Sequence, residues 1–318
     1  MNTVEFLRLS SEIVPDRTAI IFEDKRIDFS TLQQRVNRLA NSLSKLGVSS
    51  GDRISTIQVN CNEHIEAYFA ATSLDAIYVP VNFRVKDEEL EAMLSDSKPK
   101  AIFAGSRYHE VVKKATRNNK EVELFISMDN ESDGWINFDD LISEGDSKDR
   151  FPEYDDDDTN IIMYTSGTTG APKGVMLKHD SFSSYILANV MPADPDEEEK
   201  NILTVPLHHI AGMQAVISAI YGGRTLVIQR QFEPRDWLKL VQDEQINRAM
   251  MVPTMLKAIL DHQEFSNFDI TSLSVITYGA APMPASVIKD AIAKLPGTRF
   301  INAFGQTETA STITMLSP

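Results

Sequence analysis

Short apolar runs that read as strands alternate with amphipathic segments that read as helices along almost the whole chain. This alternation limits the fold to stacked α/β layers built around mostly parallel sheet. The clearest helix begins at Ser30, where Gln33 three residues on completes a capping-box pattern, and it carries Leu32, Val36, Leu39, Leu43 and Leu46 at spacings of three and four. Gly47 ends it. A strand is expected over Arg53–Val59, a helix over Glu63–Leu74, a strand over Ile77–Val81, a helix over Asp87–Ser95 and a strand over Ala101–Ala104. After Asn160 the pattern resumes, with strands expected at Ile161–Tyr164, Ile202–Val205, Thr225–Ile228, Ala249–Val252, Val275–Tyr278 and Phe300–Ala303, and helices such as Pro234–Glu244 and Pro253–His262. The strongest break in composition is Phe151–Thr159, in which Asp155–Asp158 reads as a solvated linker; Asp194–Glu199 reads as a second acidic surface turn. The chain of 318 residues has room for two α/β subdomains, 1–158 and 159–318.

Composition removes several classes of function. A net charge of −15 repels polyanions at long range and argues against nucleic acid as a partner. No apolar run reaches the roughly 18 residues that a bilayer span needs. The opening MNTVEFLRLSSE has neither the basic nor the apolar region of a secretory leader, so the chain reads as cytoplasmic, without integral membrane association. Cys61, the single cysteine, can form neither an internal disulfide nor a zinc cluster by itself.

The segment Thr165-Ser166-Gly167-Thr168-Thr169-Gly170-Ala171-Pro172-Lys173-Gly174 lies between two apolar runs, Ile161–Tyr164 and Val175–Leu177. Glycines let backbone N–H groups approach an anion, the hydroxyls donate to phosphate oxygens, and Lys173 adds a mobile positive charge. By composition this is a phosphate cradle. It lacks the Gly-Lys-Ser/Thr ending of a Walker loop, and a strand-like run follows it in place of a helix.

In order, residues 164–175 resemble the signature loop of the adenylate-forming superfamily, which includes acyl- and aryl-CoA synthetases and peptide-synthetase adenylation domains. Four more segments resemble that family's motifs in its own order: Tyr78–Asn82, Pro206–Gly212, Tyr278–Pro282 and Asn302–Glu308, the last with Phe304 where the family usually has Tyr. The resemblance covers essentially the whole chain. It implies an α/β N-terminal domain of stacked, mostly parallel sheets flanked by helices, with the ATP-binding motifs in the second subdomain. It also implies the chemistry: a small-molecule carboxylic acid attacks the α-phosphorus of ATP, pyrophosphate leaves, and the acyl group then passes to coenzyme A.

The resemblance also assigns roles to residues. Thr165, Ser166, Thr168, Thr169 and Lys173, with the backbone at Gly167 and Gly170, would hold the β- and γ-phosphates. Thr307 would contact the α-phosphate and Glu308 would serve Mg²⁺. Phe304 would stack on adenine, while Asn302, neighbouring Gly305 and the loop Gly279, Ala280, Ala281, Pro282 would surround it. His209 matches a position bordering the acyl group, whereas His208 matches none. Leu207, Ile210, Ala211 and Met213 suit an apolar tail, and no acidic residue occurs in 206–213 to pair with a substrate ammonium, so a fatty or aryl acid is expected over an amino acid. The alternatives are a peptide-synthetase adenylation domain and a non-catalytic nucleotide- or acyl-binding fragment. The family's ribose-binding Thr-Gly-Asp motif, hinge and small C-terminal domain do not follow Thr314–Pro318. The expectation is therefore an N-terminal domain with the C-terminal domain absent, impaired in adenylation and more so in thioester formation.

Overall fold

The computed structural model of the protein describes residues 1–155, 157–165 and 172–316. Its strands are β1 (Thr18–Phe22), β2 (Lys25–Asp28), β3 (Arg53–Ile57), β4 (Ile77–Pro80), β5 (Ala101–Ala104), β6 (Leu124–Ser127), β7 (Ile136–Asn137), β8 (Thr159–Thr165) and β9 (Lys173–Lys178). They continue with β10 (Lys200–Leu203), β11 (Thr225–Ile228), β12 (Arg248–Met251), β13 (Val275–Gly279), β14 (Arg299–Gln306) and β15 (Ser311–Leu316). Among the described residues they form an eight-stranded sheet, β15-β14-β13-β12-β10-β11-β1-β2, and a seven-stranded one, β7-β6-β5-β3-β4-β8-β9. Pairing is parallel except at β1–β2, β14–β15 and β8–β9. Both sheets draw strands from both sides of residue 158, since β1–β2 close the edge of the eight-stranded sheet and β8–β9 that of the seven-stranded one.

Three apolar clusters define the layers. One joins residues of both sheets, such as Ile20, Leu226, Ile54 and Phe103, through the helices Phe29–Lys45, Asn62–Ser73 and Ile210–Tyr221 between them. The second covers the far face of the eight-stranded sheet with Pro234–Glu244, Pro253–Leu260 and Ala285–Lys294, and the third covers the far face of the other sheet with Asp87–Ser97 and His109–Thr116. The result is the expected stack of mostly parallel sheets flanked by helices. Asn62–Ser73 is buried at every residue, which fits a helix enclosed on all sides.

The expected helix at Ser30 starts earlier, at Phe29. Its cap is Asp28, whose carboxylate accepts the Thr31 N–H at 2.6 Å, and Gln33 is buried against Asn37 instead of closing a capping box. A carboxylate at the cap also favours the positive end of the helix dipole. Gly47 follows with φ of +93°, and Leu46, already past the last turn, is 39% exposed. In the acidic linker Asp157 pairs with Lys178 at 2.6 Å, while Asp156 lies outside the described residues.

Candidate active site

Parallel strands bring the carboxyl ends of their loops to one edge, and ligands of open α/β sheets bind in the crevice there. A cavity of about 340 Å³ lies where such edges of both sheets meet, β4 and β8 belonging to the seven-stranded sheet and β10 and β14 to the eight-stranded one. Its wall takes Asn82 from the loop after β4, Thr165 from the end of β8, Pro172 from the start of β9, His208 and His209 from the loop after β10, and Thr307 from the turn after β14. Four of the five motif segments thus meet at one place. Tyr164, Met163, Met93 and Val85 give it apolar surface. Glu89 is its one carboxylate among the described residues, and that group accepts the Lys86 N–H at 3.1 Å as part of a helix cap.

The loop carrying the two histidines is fixed by Asn60. Its Nδ2 donates to the carbonyls of Val205 and Gln229 at 3.2 and 3.3 Å, and its Oδ1 accepts the Leu207 N–H at 3.0 Å. Gly212 completes the fit, because a Cβ there would stand 2.5 Å from the Pro206 carbonyl oxygen. His209 is the N-cap of Ile210–Tyr221 and is open to solvent on one side. His208 is buried against it, the ring centroids 4.4 Å apart, with Phe83 edge-on at 5.3 Å. Burial, helped by the His209, His64 and Arg84 charges, lowers the His208 pKa to about 3. Burial and then Arg84 also lower that of His209. Both imidazoles are therefore neutral near pH 7, suited to packing and hydrogen bonding. Sequence reasoning passed over His208 and Asn60; a polar residue directly after a buried strand was the available signal.

Thr165 pairs with Lys173 across the β8–β9 hairpin, so the hairpin ends hold both at the mouth of the loop. Ser166, Gly167, Thr168, Thr169 and Gly170 lie outside the described residues. Lys173 is exposed and makes no ion pair among the described residues. The turn Thr307–Thr309 lies against β9 and presents Glu308 as an exposed carboxylate. No group of three or more His, Cys, Asp or Glu among the described residues could hold a metal ion. A single carboxylate of this kind fits a Mg²⁺ ion whose other ligands are phosphate oxygens and water.

The Gly279–Pro282 loop and Asn302–Gly305 adjoin each other through strand register, Tyr278 opposite Asn302 and Gly279 opposite Ala303, outside the wall of this cavity. A Cβ at Gly279 would lie 2.3 Å from the Ala303 carbonyl oxygen, so this close approach needs glycine. The next residue, Ala280, has φ of +65°, a left-handed backbone that costs an alanine about 1–2 kcal/mol. Ala281, Pro282 and Ala280 are exposed, and Phe304 is 63% exposed with Asn302 and Gly305 partly buried on the same strand. Met213 stands elsewhere: it is 1% exposed, within the core between the sheets, and does not line the cavity.

Residues 8–318 match the family model of AMP-binding enzymes. The chain is 26% identical to an indoleacetate–CoA ligase of Aromatoleum aromaticum, over 100% of this chain and 62% of the relative. It is 29% identical to a feruloyl-CoA synthase of Amycolatopsis over 95% and 58%. It is also 29% identical to the long-chain-fatty-acid–CoA ligase FadD13 of Mycobacterium tuberculosis, over 92% and 57%. The chain thus spans about three-fifths of the length of these curated relatives. A crystal structure of the N-terminal domain of FACL13 from Mycobacterium tuberculosis superposes with a TM-score of 0.87 at 27% identity, covering 99% of this chain and 78% of that one.

Proposed function

Since the chain belongs to the AMP-binding enzyme family, we propose that it is the part of an acid–thiol ligase that binds ATP and a carboxylic acid and joins them as an acyl-adenylate. The observation that carries this reading is the meeting of Thr165, Pro172, His209, Asn82 and Thr307 around one cavity at the carboxyl ends of the strands, beside Lys173. The step needs no covalent enzyme intermediate. It depends on positioning and on stabilising charge as pyrophosphate leaves.

The acid carboxylate takes its place between His209 and Thr307, in line with the α-phosphorus. Thr307 donates to an α-phosphate oxygen, Thr165 and the loop that follows it hold the β- and γ-phosphates, and Lys173 offsets the charge that grows on them. Adenine stacks on Phe304 against the Gly279–Pro282 loop. Glu308 would hold Mg²⁺, which neutralises phosphate charge when bound. Apolar walls at Met93, Met163 and Val85, with the one wall carboxylate among the described residues engaged in a helix cap, support a fatty or aryl acid over an amino acid. The named substrates of the relatives, indoleacetate, ferulate and long-chain fatty acids, support the same choice.

Transfer to coenzyme A is the second half of the proposal. A cleft of about 380 Å³ beside the first, lined by Arg84, Arg230, Asn60 and Thr204, is positively charged and suits an anionic cosubstrate. Calorimetric titration of Mg·ATP tests the nucleotide site. Lys173→Ala and Thr307→Val should each weaken binding by roughly 10–100-fold, the worth of one hydrogen bond to a charged group. Unchanged affinity in both variants would refute the assignment.

A further inference from the structure

A separate cavity of about 270 Å³ lies between the eight-stranded sheet and the helices His179–Asn189 and Ile210–Tyr221. Parallel strands covered on both faces are expected to be apolar on both. One row across this face nearly obeys: Met250 stands beside Thr277, and Thr277 beside Ile301. The row toward the amino ends does not, since Asn201 stands opposite Arg248, and Arg224 closes that end of the cavity. Glu199 bridges the two guanidinium groups, 2.7 Å from Arg248 Nε and 2.9 Å from Arg224 Nε. Two arginines on one carboxylate leave a positive charge over. Glu197, which also bears on Arg224, stays exposed on the surface. Burial and the neighbouring Arg248 lower the Arg224 pKa, as expected where an anion is wanting.

Two acceptors in the same wall, Asn201 Oδ1 and Gln214 Oε1, are buried without a hydrogen-bond partner among the described residues. Gln214 is 5% exposed, and Ser218 Oγ, at 3.3 Å from its Nε2, satisfies only the other end of the amide. Buried polar atoms are rarely left in this state; with each amide turned over, Gln214 Oε1 accepts from the Ser218 hydroxyl, and Gln214 Nε2 and Asn201 Nδ2 face the cavity as donors to an anion. The helix itself ties this cavity to the proposed active site. His209 is its N-cap, and Gln214, Ala215 and Ser218 line the cavity from one face, on which Ala211 falls by helical spacing alone. From His209 to Ser218 the axis advances roughly 13 Å.

We propose that this cavity selects the acid by its far end: with one carboxylate beside His209, an apolar spacer lies along the helix face over Met250 and Ile301, and a second carboxylate pairs with Arg224 and Arg248. The substrate class is a dicarboxylic acid with an apolar spacer. This rests on the acid-activating function proposed above and adds to it the identity of the acid.

The experiment compares matched straight-chain mono- and dicarboxylic acids of increasing length, both by ATP–pyrophosphate exchange and by calorimetric titration into the chain. At the best length the dicarboxylic acid should show a KM and a Kd roughly 10–100-fold lower than its monocarboxylic partner. Arg248→Met should abolish that preference, so that mono- and dicarboxylic acids of one length are used and bound alike. Gln214→Leu, which leaves the Glu199 bridge in place, should reduce it in a chain whose melting temperature is retained. Equal or tighter use of the monocarboxylic acid overturns the proposal and leaves the acid-activating function standing. Absence of exchange with every acid contradicts that function instead. The titrations then decide the selectivity: a dicarboxylic preference lost in Arg248→Met upholds it, and equal binding refutes it.

Discussion

Replacing Gly212 by alanine tests whether the loop between β10 and the helix Ile210–Tyr221 is held by close backbone contact. The added Cβ would sit 2.5 Å from the Pro206 oxygen, 3.0 Å from the Pro206 carbonyl carbon and 3.1 Å from the Val205 oxygen, where ordinary contact begins near 3.4 Å. All three atoms are backbone, so no side chain can swing aside, and the loop must open by about 0.9 Å to restore that spacing. Overpacking of this kind costs about 1–3 kcal/mol. Alanine returns about 1 kcal/mol in helix propensity, so the net loss is about 0–2 kcal/mol. At roughly 2–4 °C per kcal/mol, the melting temperature should fall by no more than about 8 °C. Function should suffer more, because the displaced segment carries His208 and His209, and a shift near 1 Å in a positioning group can cost about 100-fold in rate. The assays are thermal denaturation and acid-dependent ATP–pyrophosphate exchange, with Gly297→Ala as control, since a Cβ at Gly297 meets nothing within 4 Å. A Gly212→Ala chain with wild-type exchange and wild-type melting would refute the reasoning.

Acid should destabilise the fold through His64 and His208. Burial lowers both to about 3, so they stay neutral in the folded chain while the unfolded chain takes up protons below about 6.5. Their contribution is complete above about 6.5 and is lost as pH falls toward 3, roughly 2 kcal/mol for each by pH 5. Urea midpoints at pH 7 and pH 5 should show the loss, and His208→Gln should reduce it; a pH-independent midpoint would count against the buried neutral state. Tyr78→Phe removes a hydroxyl that meets His64 Nδ1 and Thr56 Oγ1 in the core. It should cost about 1–3 kcal/mol by urea denaturation, because partners are left unsatisfied, and a neutral effect would contradict that network. Glu308→Gln should reduce the Mg²⁺ dependence of ATP binding, seen as a smaller gain on adding Mg²⁺ to a nucleotide titration, while metal-free ATP binding changes little.

Local periodicity made the alternating elements legible, and Thr225–Ile228, Ala101–Ala104 and Pro234–Glu244 stand as the pattern predicts. Pairing between distant segments was not. Nothing in Thr18–Phe22 indicates that it will join β11 more than 200 residues later, so the division at residue 158 is one of sequence and not of sheets. The start of the helix after β2 shifted because Asp28 and Ser30 are both good caps, and only the chain's path decides between them. At the site, Thr165 comes from one sheet and His209 and Thr307 from the other, so their meeting at one cavity rests on how the two sheets pack, which local patterns do not show. Met213, apolar and close to His209, is expected from the sequence to line the pocket. Helical rotation instead turns it into the core, onto a different face from Ala211 and Gln214.

Acid-dependent ATP–pyrophosphate exchange measures the joining of an acid to ATP at this site. Exchange should be stimulated by an apolar or dicarboxylic acid, absent with amino acids, and lost in Lys173→Ala. Exchange that persists in Lys173→Ala, or that no acid stimulates in a chain binding Mg·ATP, would contradict the acid-activating function.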